Sequence, residues 1–238
     1  MIIEGKNPVY EALNGEVTIE KLLVLKDAPN GGFGGIIKAC REKKIVVQFV
    51  DRPALDRLSP TKKHQGIIAV ATEFVYSDFE DILQNKSKDL LIIVLDGIDD
   101  PHNVGAIVRV ADCVGADGII IPRHRSCGVT DTVVKVSCGA TSYVKIAKVA
   151  NINDALRKMK DAGIMVFAAD MDGTDIYKTN LKGNIAVVIG GEGSGVHTLT
   201  KKLCDGIISL PQKGKVNSLN ASVAAGAMLY EAVRQRNN

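Results

Sequence analysis

Residues 89–122, DLLIIVLDGIDDPHNVGAIVRVADCVGADGIIIP, decide the fold class. Between Asp89 and Asp96 the chain is unbrokenly apolar, which reads as a strand covered on both faces. An acidic turn follows, and Asn103 can cap the helix NVGAIVRVADCVGA behind it. GIIIP is then a second buried strand. Strand, helix and strand in one short stretch form the unit of a parallel sheet, because parallel neighbours need a long crossover.

The same alternation runs to the C-terminus. TDTVVKVSCGA reads as a helix, YVKIA as a strand, NINDALRKMKDAG as a helix, and IMVFAA and IAVVIG as strands. A short strand, ISLP, precedes a long helix within NSLNASVAAGAMLYEAVRQRNN, opened by Asn217 or Ser218. Upstream, NPVYEAL reads as a short helix opened by Asn7 and Pro8. KLLVLKD is a strand, GGFGGIIKACREKK a loop and helix, IVVQFV a buried strand and HQGIIAVA a further strand. Residues 76–88 are polar and poor in strand formers, so they read as a linker carrying one short helix. The expectation is an α/β protein with a first domain over 1–75, a linker over 76–88 and a second domain over 89–238.

Composition narrows the class. The net charge of +3 over 238 residues neither announces nor excludes nucleic acid, since a local patch matters more than a total. Aromatic residues are 4% and Trp is absent, which argues against base-stacking platforms. The five cysteines form no CxxC pair, so no disulfide framework or structural zinc site is expected. The first residues lack a basic stretch followed by an apolar one, and no apolar run approaches the ~18 residues of a membrane span. A cytoplasmic protein is expected.

Three clusters carry chemistry. In the first, Arg109 stands among Ile107, Val108, Val110, Ala111, Cys113 and Val114. An Arg on a mostly buried helix must be paired, aimed into a site, or snorkel to the surface. In the second, VVIGGEGSGV (187–196), an apolar strand runs into Gly190, Gly191, Glu192, Gly193 and Gly195. Glycines there permit unusual dihedrals and close backbone approach to a flat ligand. The spacing is not G-x-G-x-x-G and no phosphate-loop signature occurs, so a dinucleotide or nucleoside triphosphate is unsupported. In the third, IISLPQKGKVNSLNASVAAGAMLYEAV (207–233), Ala221, Ala224, Ala225 and Gly226 make a small-residue helix face. Ser218 and Asn220 fall in the first turn, where free N–H groups are available.

Together, PHNVGAIVRVA, IGGEGSGV and LPQKGKVNSLNASVA, in this order, resemble the three motifs of the SpoU/TrmH-type RNA ribose 2′-O-methyltransferases of the SPOUT superfamily. The likeness covers residues 89–238. The first block, with GKNPVYEAL and KKHQGIIAV, is similar to the substrate-binding domain of the 23S rRNA guanosine 2′-O-methyltransferase subgroup.

The resemblance implies a parallel-sheet domain closed by a C-terminal trefoil knot, preceded by a small α/β domain like that of a ribosomal protein. It implies a homodimer that uses S-adenosyl-L-methionine and no metal. The cofactor pocket would be lined by Gly190, Gly191, Glu192, Gly193, Ile208, Leu210, Ser218 and Leu219. Arg109 matches the arginine proposed to activate the ribose hydroxyl. An Arg keeps its proton, so a milder role is expected: anchoring the neighbouring phosphate and stabilising the developing alkoxide. Asn103 would orient the substrate or Arg109. Glu192 would hold the glycine loop or pair with Arg109, and Ser218 and Asn220 would fix the site from the helix start. For RNA, the basic candidates are Arg123, His124, Arg125 and Lys135, with Lys62, Lys63 and His64 in the first block. The substrate implied is a guanosine ribose in 23S rRNA, because the simplest tRNA-directed members lack the first block, and a tRNA guanosine is the alternative. A non-catalytic RNA-binding protein and a nicotinamide dehydrogenase are the competing classes.

Overall fold

The computed structural model describes residues 1–14, 17–26, 32–72, 74–84, 89–215 and 218–237. They form two units: residues 1–75 with 129–131, and residues 76–128 with 132–238.

The first unit runs through β1 (Ile2–Glu4), α1 (Lys6–Asn14), β2 (Thr18–Leu25), α2 (Gly34–Glu42), β3 (Val46–Val50), α3 (Arg52–Leu58) and β4 (Ile67–Thr72). Its four-stranded sheet has the order β1-β4-β2-β3, with β2 and β3 parallel and the other pairs antiparallel. Val9 and Leu13 of α1, and Ile36 and Cys40 of α2, are i, i+4 pairs that pack onto Leu22, Val24, Ile67 and Ala69. Helix α1 begins at Lys6, so Asn7 lies inside it and does not cap it. IVVQFV is not a buried strand. Strand β3 has one neighbour at the sheet edge, Phe49 is 47% exposed, and the cluster behind that face is small, consisting of Leu23, Leu55 and Ile68. Strand β1 and helix α3 escaped the sequence reading, although Pro53 sits where a first turn tolerates it.

The second unit contains α4 (Phe79–Leu83), β5 (Leu91–Asp96), α5 (Pro101–Cys113), β6 (Gly118–Pro122), α6 (Asp131–Val136), β7 (Ile146–Val149), α7 (Ile152–Asp161), β8 (Met165–Asp175), β9 (Ile185–Gly190), α8 (Thr198–Leu203), β10 (Gly206–Ser209) and α9 (Ala221–Arg236). Its six strands are all parallel, in the order β10-β8-β9-β5-β6-β7. The central β5 is buried along its whole length, as its apolar sequence requires. Helices α5 and α9 pack together where Gly226 faces Val110: a Cβ there would lie 3.7 Å from Val110 Cγ2.

The stretch expected as a linker is packed where it is described. Phe79 and Ile82 of α4 are buried in the second core, and Ser77 bridges Ala147. Gly118 has no Cβ because Ile82 would stand 2.6 Å from it. Residues 85–88 lie outside the described residues. Among the described residues, no helix is long and apolar enough to cross a membrane.

Candidate active site

In an open parallel sheet, ligands bind beyond the carboxyl ends of the strands. Here β5 ends at Asp96 and β9 at Gly190, paired in register. The loops that follow are tied together. Gly191 N donates to Asp96 O at 3.1 Å, and His197 N donates to Asp96 Oδ2 at 3.0 Å. His197 Nδ1 lies 2.9 Å from Asp96 Oδ1. The glycines are required by close approach: a Cβ on Gly190 would fall 2.0 Å from the carbonyl carbon of Gly195, and one on Gly191 would fall 2.2 Å from Gly97 O. Gly193 and Gly195 adopt positive φ, +80° and +62°.

Beside this loop is a cavity of about 390 Å³. Of the residues expected to line it, Gly190, Gly191, Glu192, Gly193, Leu210, Ser218 and Leu219 do so. Ile208 does not: it is 1% exposed and lies in β10 with its side chain in the interior. The wall also includes Ala169, Asp170, Met171, Lys201, Gln212 and Met228, which the sequence reading missed. Asp170 and its neighbours follow the last β8 residue paired with β9, Ala168. The rule that sites gather at strand carboxyl ends was the available signal.

A polar network joins the three motif clusters. Asn103 is not a cap: Asp100 caps α5 by accepting from His102 N at 3.0 Å, which leaves Asn103 inside the helix and 4% exposed. Asn103 Nδ2 donates to Glu192 Oε1 at 2.9 Å. Asn220 Nδ2 donates to Asn103 Oδ1 and to Glu192 Oε1, both at 2.8 Å. Asn220, not Ser218, caps α9, with its Oδ1 accepting from Ser222 N at 3.0 Å and Val223 N at 3.3 Å. Ser218 precedes the helix and lines the cavity instead. Asn217 lies outside the described residues. The network fixes a carboxylate beside the cavity through charge-assisted hydrogen bonds.

Arg109 stands apart from this network. It lies on α5 six positions after Asn103, hence about 9 Å along the axis and about 120° around it. It is exposed, lines no part of the cavity, and its Nη1 donates to Cys138 Sγ at 3.4 Å. The surface alternative for this arginine therefore holds within the single chain. His124, Arg125 and Lys135 are exposed and Arg123 half-buried; Arg123, His124 and Arg125 follow β6 directly, and Lys135 lies in α6. Lys62 and Lys63 are exposed, but His64 is 3% exposed and structural: its Nε2 lies 3.0 Å from Asp56 Oδ1 and its Nδ1 accepts from Gly66 N at 3.0 Å.

Comparison with known proteins matches this arrangement. The SpoU rRNA Methylase family profile covers residues 90–230, and the profile for RNA 2′-O ribose methyltransferase substrate binding covers residues 2–77. YacO of Bacillus subtilis (strain 168), which is assigned to the TrmH family of tRNA/rRNA methyltransferases, is 40% identical over 98% of this chain and 95% of its own. The SpoU methyltransferase AviRb from Streptomyces viridochromogenes, solved with the cofactor AdoMet, superposes with a TM-score of 0.64 at 25% identity, covering 100% of this chain and 91% of its own. The A. aeolicus TrmH/SpoU tRNA modifying enzyme gives a TM-score of 0.58 at 30% identity over 67% of this chain and 81% of its own. This chain belongs to the SpoU/TrmH family of S-adenosylmethionine-dependent RNA methyltransferases.

Proposed function

We propose that this enzyme methylates the 2′-hydroxyl of a ribose, in a guanosine of 23S rRNA, from a cofactor held in the cavity beside the glycine loop. The cavity suits S-adenosylmethionine. Its volume of about 390 Å³ lies in the range of small-molecule sites. Ile189, Leu210 and Met228 offer apolar wall for a purine, while Glu192 and Asp170 offer carboxylates to its polar and cationic parts. The cofactor supplies an already activated methyl group on a sulfonium. What remains for the protein is alignment, which can contribute ~7–11 kcal/mol, and help with the hydroxyl proton.

The observation that carries the reading is the Asn103–Glu192–Asn220 network, which pins a carboxylate in the cavity wall from both motif helices. In the proposed reaction Glu192 faces the cationic end of the cofactor, Asn103 and Asn220 hold it there, and Arg109 anchors the RNA phosphate and stabilises the developing alkoxide, whose proton passes to that phosphate or to water as the methyl leaves the sulfonium. Support for ribose as the acceptor is the match of residues 2–77 to a 2′-O ribose substrate-binding profile. That block also favours rRNA. A tRNA guanosine is the second reading, favoured by the A. aeolicus tRNA modifying enzyme, whose match spans 67% of this chain.

We also propose a cytoplasmic homodimer with residues 1–75 as the RNA-binding domain and 89–238 as the catalytic one. Val223 and Tyr230, at i and i+7 of α9, are 56% and 54% exposed and form an apolar face for a second copy. A dimer is also the assembly in which an Arg109 standing outside its own cavity can act. The expected trefoil knot is supported by the path of the C-terminal segment. It leaves β10 at the sheet edge and returns to place Asn220 against Asn103 and the glycine loop.

The test is transfer from tritiated S-adenosylmethionine to purified 23S rRNA and to bulk tRNA, followed by mapping of 2′-O-methyl positions. A single ribose methyl in rRNA is expected. Label confined to tRNA would establish the second reading, and label on a base would overturn both.

A further inference from the structure

Asp170 and Lys201 lie outside all three motif clusters, yet both line the cavity and form an ion pair. The β8–β9 pairing ends at Ala168 opposite Val188, so Asp170 lies in β8 two residues past the last one paired with β9, against the glycine loop. Gly195 lies beside it: a Cβ there would be in ordinary contact, 3.4 Å from Asp170 Oδ2. The Asp170 side chain is only 14% exposed. Its partners do not saturate it. Oδ2 takes Lys201 Nζ, Oδ1 takes a long contact of 3.4 Å from Asp172 N, and the backbone N–H of Met171 adds a weaker one. A carboxylate can accept about four hydrogen bonds, so acceptor capacity remains at the cavity wall.

We propose that Asp170 receives the ribose hydroxyls of the cofactor's adenosyl group, with Lys201 as the positioning residue that holds its carboxylate. The inference rests on the cavity being the cofactor site. Two carboxylates line that cavity, and they are held differently. Glu192 Oε1 is filled by two uncharged amides, which leaves its negative charge unneutralised and suited to a cation. Asp170 is balanced by Lys201 at contact, which suits it to a neutral diol that donates O–H groups. A carboxylate accepting from a ribose hydroxyl is the recognition that α/β nucleotide-binding folds use elsewhere. Asp170 also stays ionised. Burial pushes its carboxyl up, but the hydrogen bond from Lys201, backbone N–H groups and the Lys201 charge outweigh that, and the net shift is below the usual carboxylate range.

The test measures binding by titration calorimetry, without turnover, for S-adenosylhomocysteine and its 2′,3′-dideoxyribose analogue. Wild-type enzyme is expected to prefer the natural ligand about ten- to a hundredfold, as for hydrogen bonds to a charged acceptor. Asp170→Ala should lose most of that preference by weakening the natural ligand while leaving the dideoxy analogue unchanged. Asp170→Asn, which conserves shape, should show an intermediate preference and provides the readout should the alanine variant fold poorly. Equal weakening of both ligands would make the pair a structural clasp between β8 and α8 and overturn the proposal. So would a preference that survives in both variants. Leu210→Trp, which fills the cavity, separates the two levels. Wild-type affinity for both ligands in that variant would overturn the cavity assignment itself, whereas lost binding there with undiminished preference in Asp170→Asn would overturn only the role of Asp170.

Discussion

The side-chain amide of Asn220 donates to Asn103 Oδ1 at 2.8 Å, joining two residues 117 positions apart in the chain. The same amide reaches Glu192, while the other side-chain atom of Asn220 caps α9. One residue thus ends the connection from β10, starts the last helix and locks the glycine loop. The two roles separate by substitution. Asn220→Ala loses the cap and the network, and should cost about 1 kcal/mol from the cap alone. Asn220→Asp keeps the capping oxygen but sets a carboxylate against Glu192. Its melting temperature should fall less, while methyl transfer falls about tenfold or more, on the scale of one hydrogen bond to a charged group. Thermal melts and initial rates on both variants check this.

The glycines of the loop should divide into two kinds. Gly190→Ala places a Cβ 2.0 Å from backbone, so strand end and loop must move apart, at roughly 3 kcal/mol. Gly193→Ala meets nothing within 4 Å and carries only the left-handed backbone penalty, about 1–2 kcal/mol. Urea denaturation should rank the two in that order.

Arg109 lies outside the cavity wall, so Arg109→Ala and Arg109→Lys should leave the affinity for S-adenosylhomocysteine within about twofold, on the ordinary scatter of a distant surface change. Turnover should drop about 10²-fold in the alanine variant, the scale of removing one preorganised donor to developing charge. Mixing Arg109→Ala with Asn220→Asp protein should restore part of the activity if the arginine acts across a dimer. Near-wild-type turnover in both Arg109 variants would remove the residue from the reaction.

Lys62 and Lys63 are both exposed. If they contact RNA phosphates, replacing both with alanine should weaken RNA binding and lower the slope of log K against log salt by about 1.4–1.8, the contribution of two phosphate contacts. An unchanged slope would exclude them.

Glu231 on α9 gives a pH test independent of catalysis. Hydrogen bonds from Arg234 and from Gln235 hold its carboxyl down, from an ordinary 4.5 to about 2. A depressed carboxylate stabilises the fold fully above its free value, and that stability is lost as pH falls through the folded value. The melting-temperature gap between wild type and Glu231→Gln should therefore be constant near neutrality and close between pH 4.5 and about 2.

What the sequence made legible was what local patterning controls. The apolar runs at Leu91–Asp96 and Ile185–Gly190 are buried strands because a parallel sheet covers both faces. The glycine loop announced itself by density. The misreadings arose where tertiary context decides. IVVQFV is apolar yet lies at an edge, and Phe79 and Ile82 are too few to stand out in a polar stretch although they anchor it. Asn103 looked like a cap, although Asp100 followed by Pro101 was the local signal that the helix starts earlier. Asp170 and Lys201 are distant in sequence and meet only through the strand order β10-β8-β9. Arg109 was placed by motif, and its surface position within one chain is a matter of helix phase that the motif alone does not convey.

The most direct test of the whole account is a crystal structure of the enzyme with S-adenosylhomocysteine. The adenosyl group should fill the cavity between the glycine loop and Leu210, with the sulfur directed toward Glu192 and its two asparagines. Density for the ligand anywhere else, or a sulfur pointing away from Glu192, would contradict it.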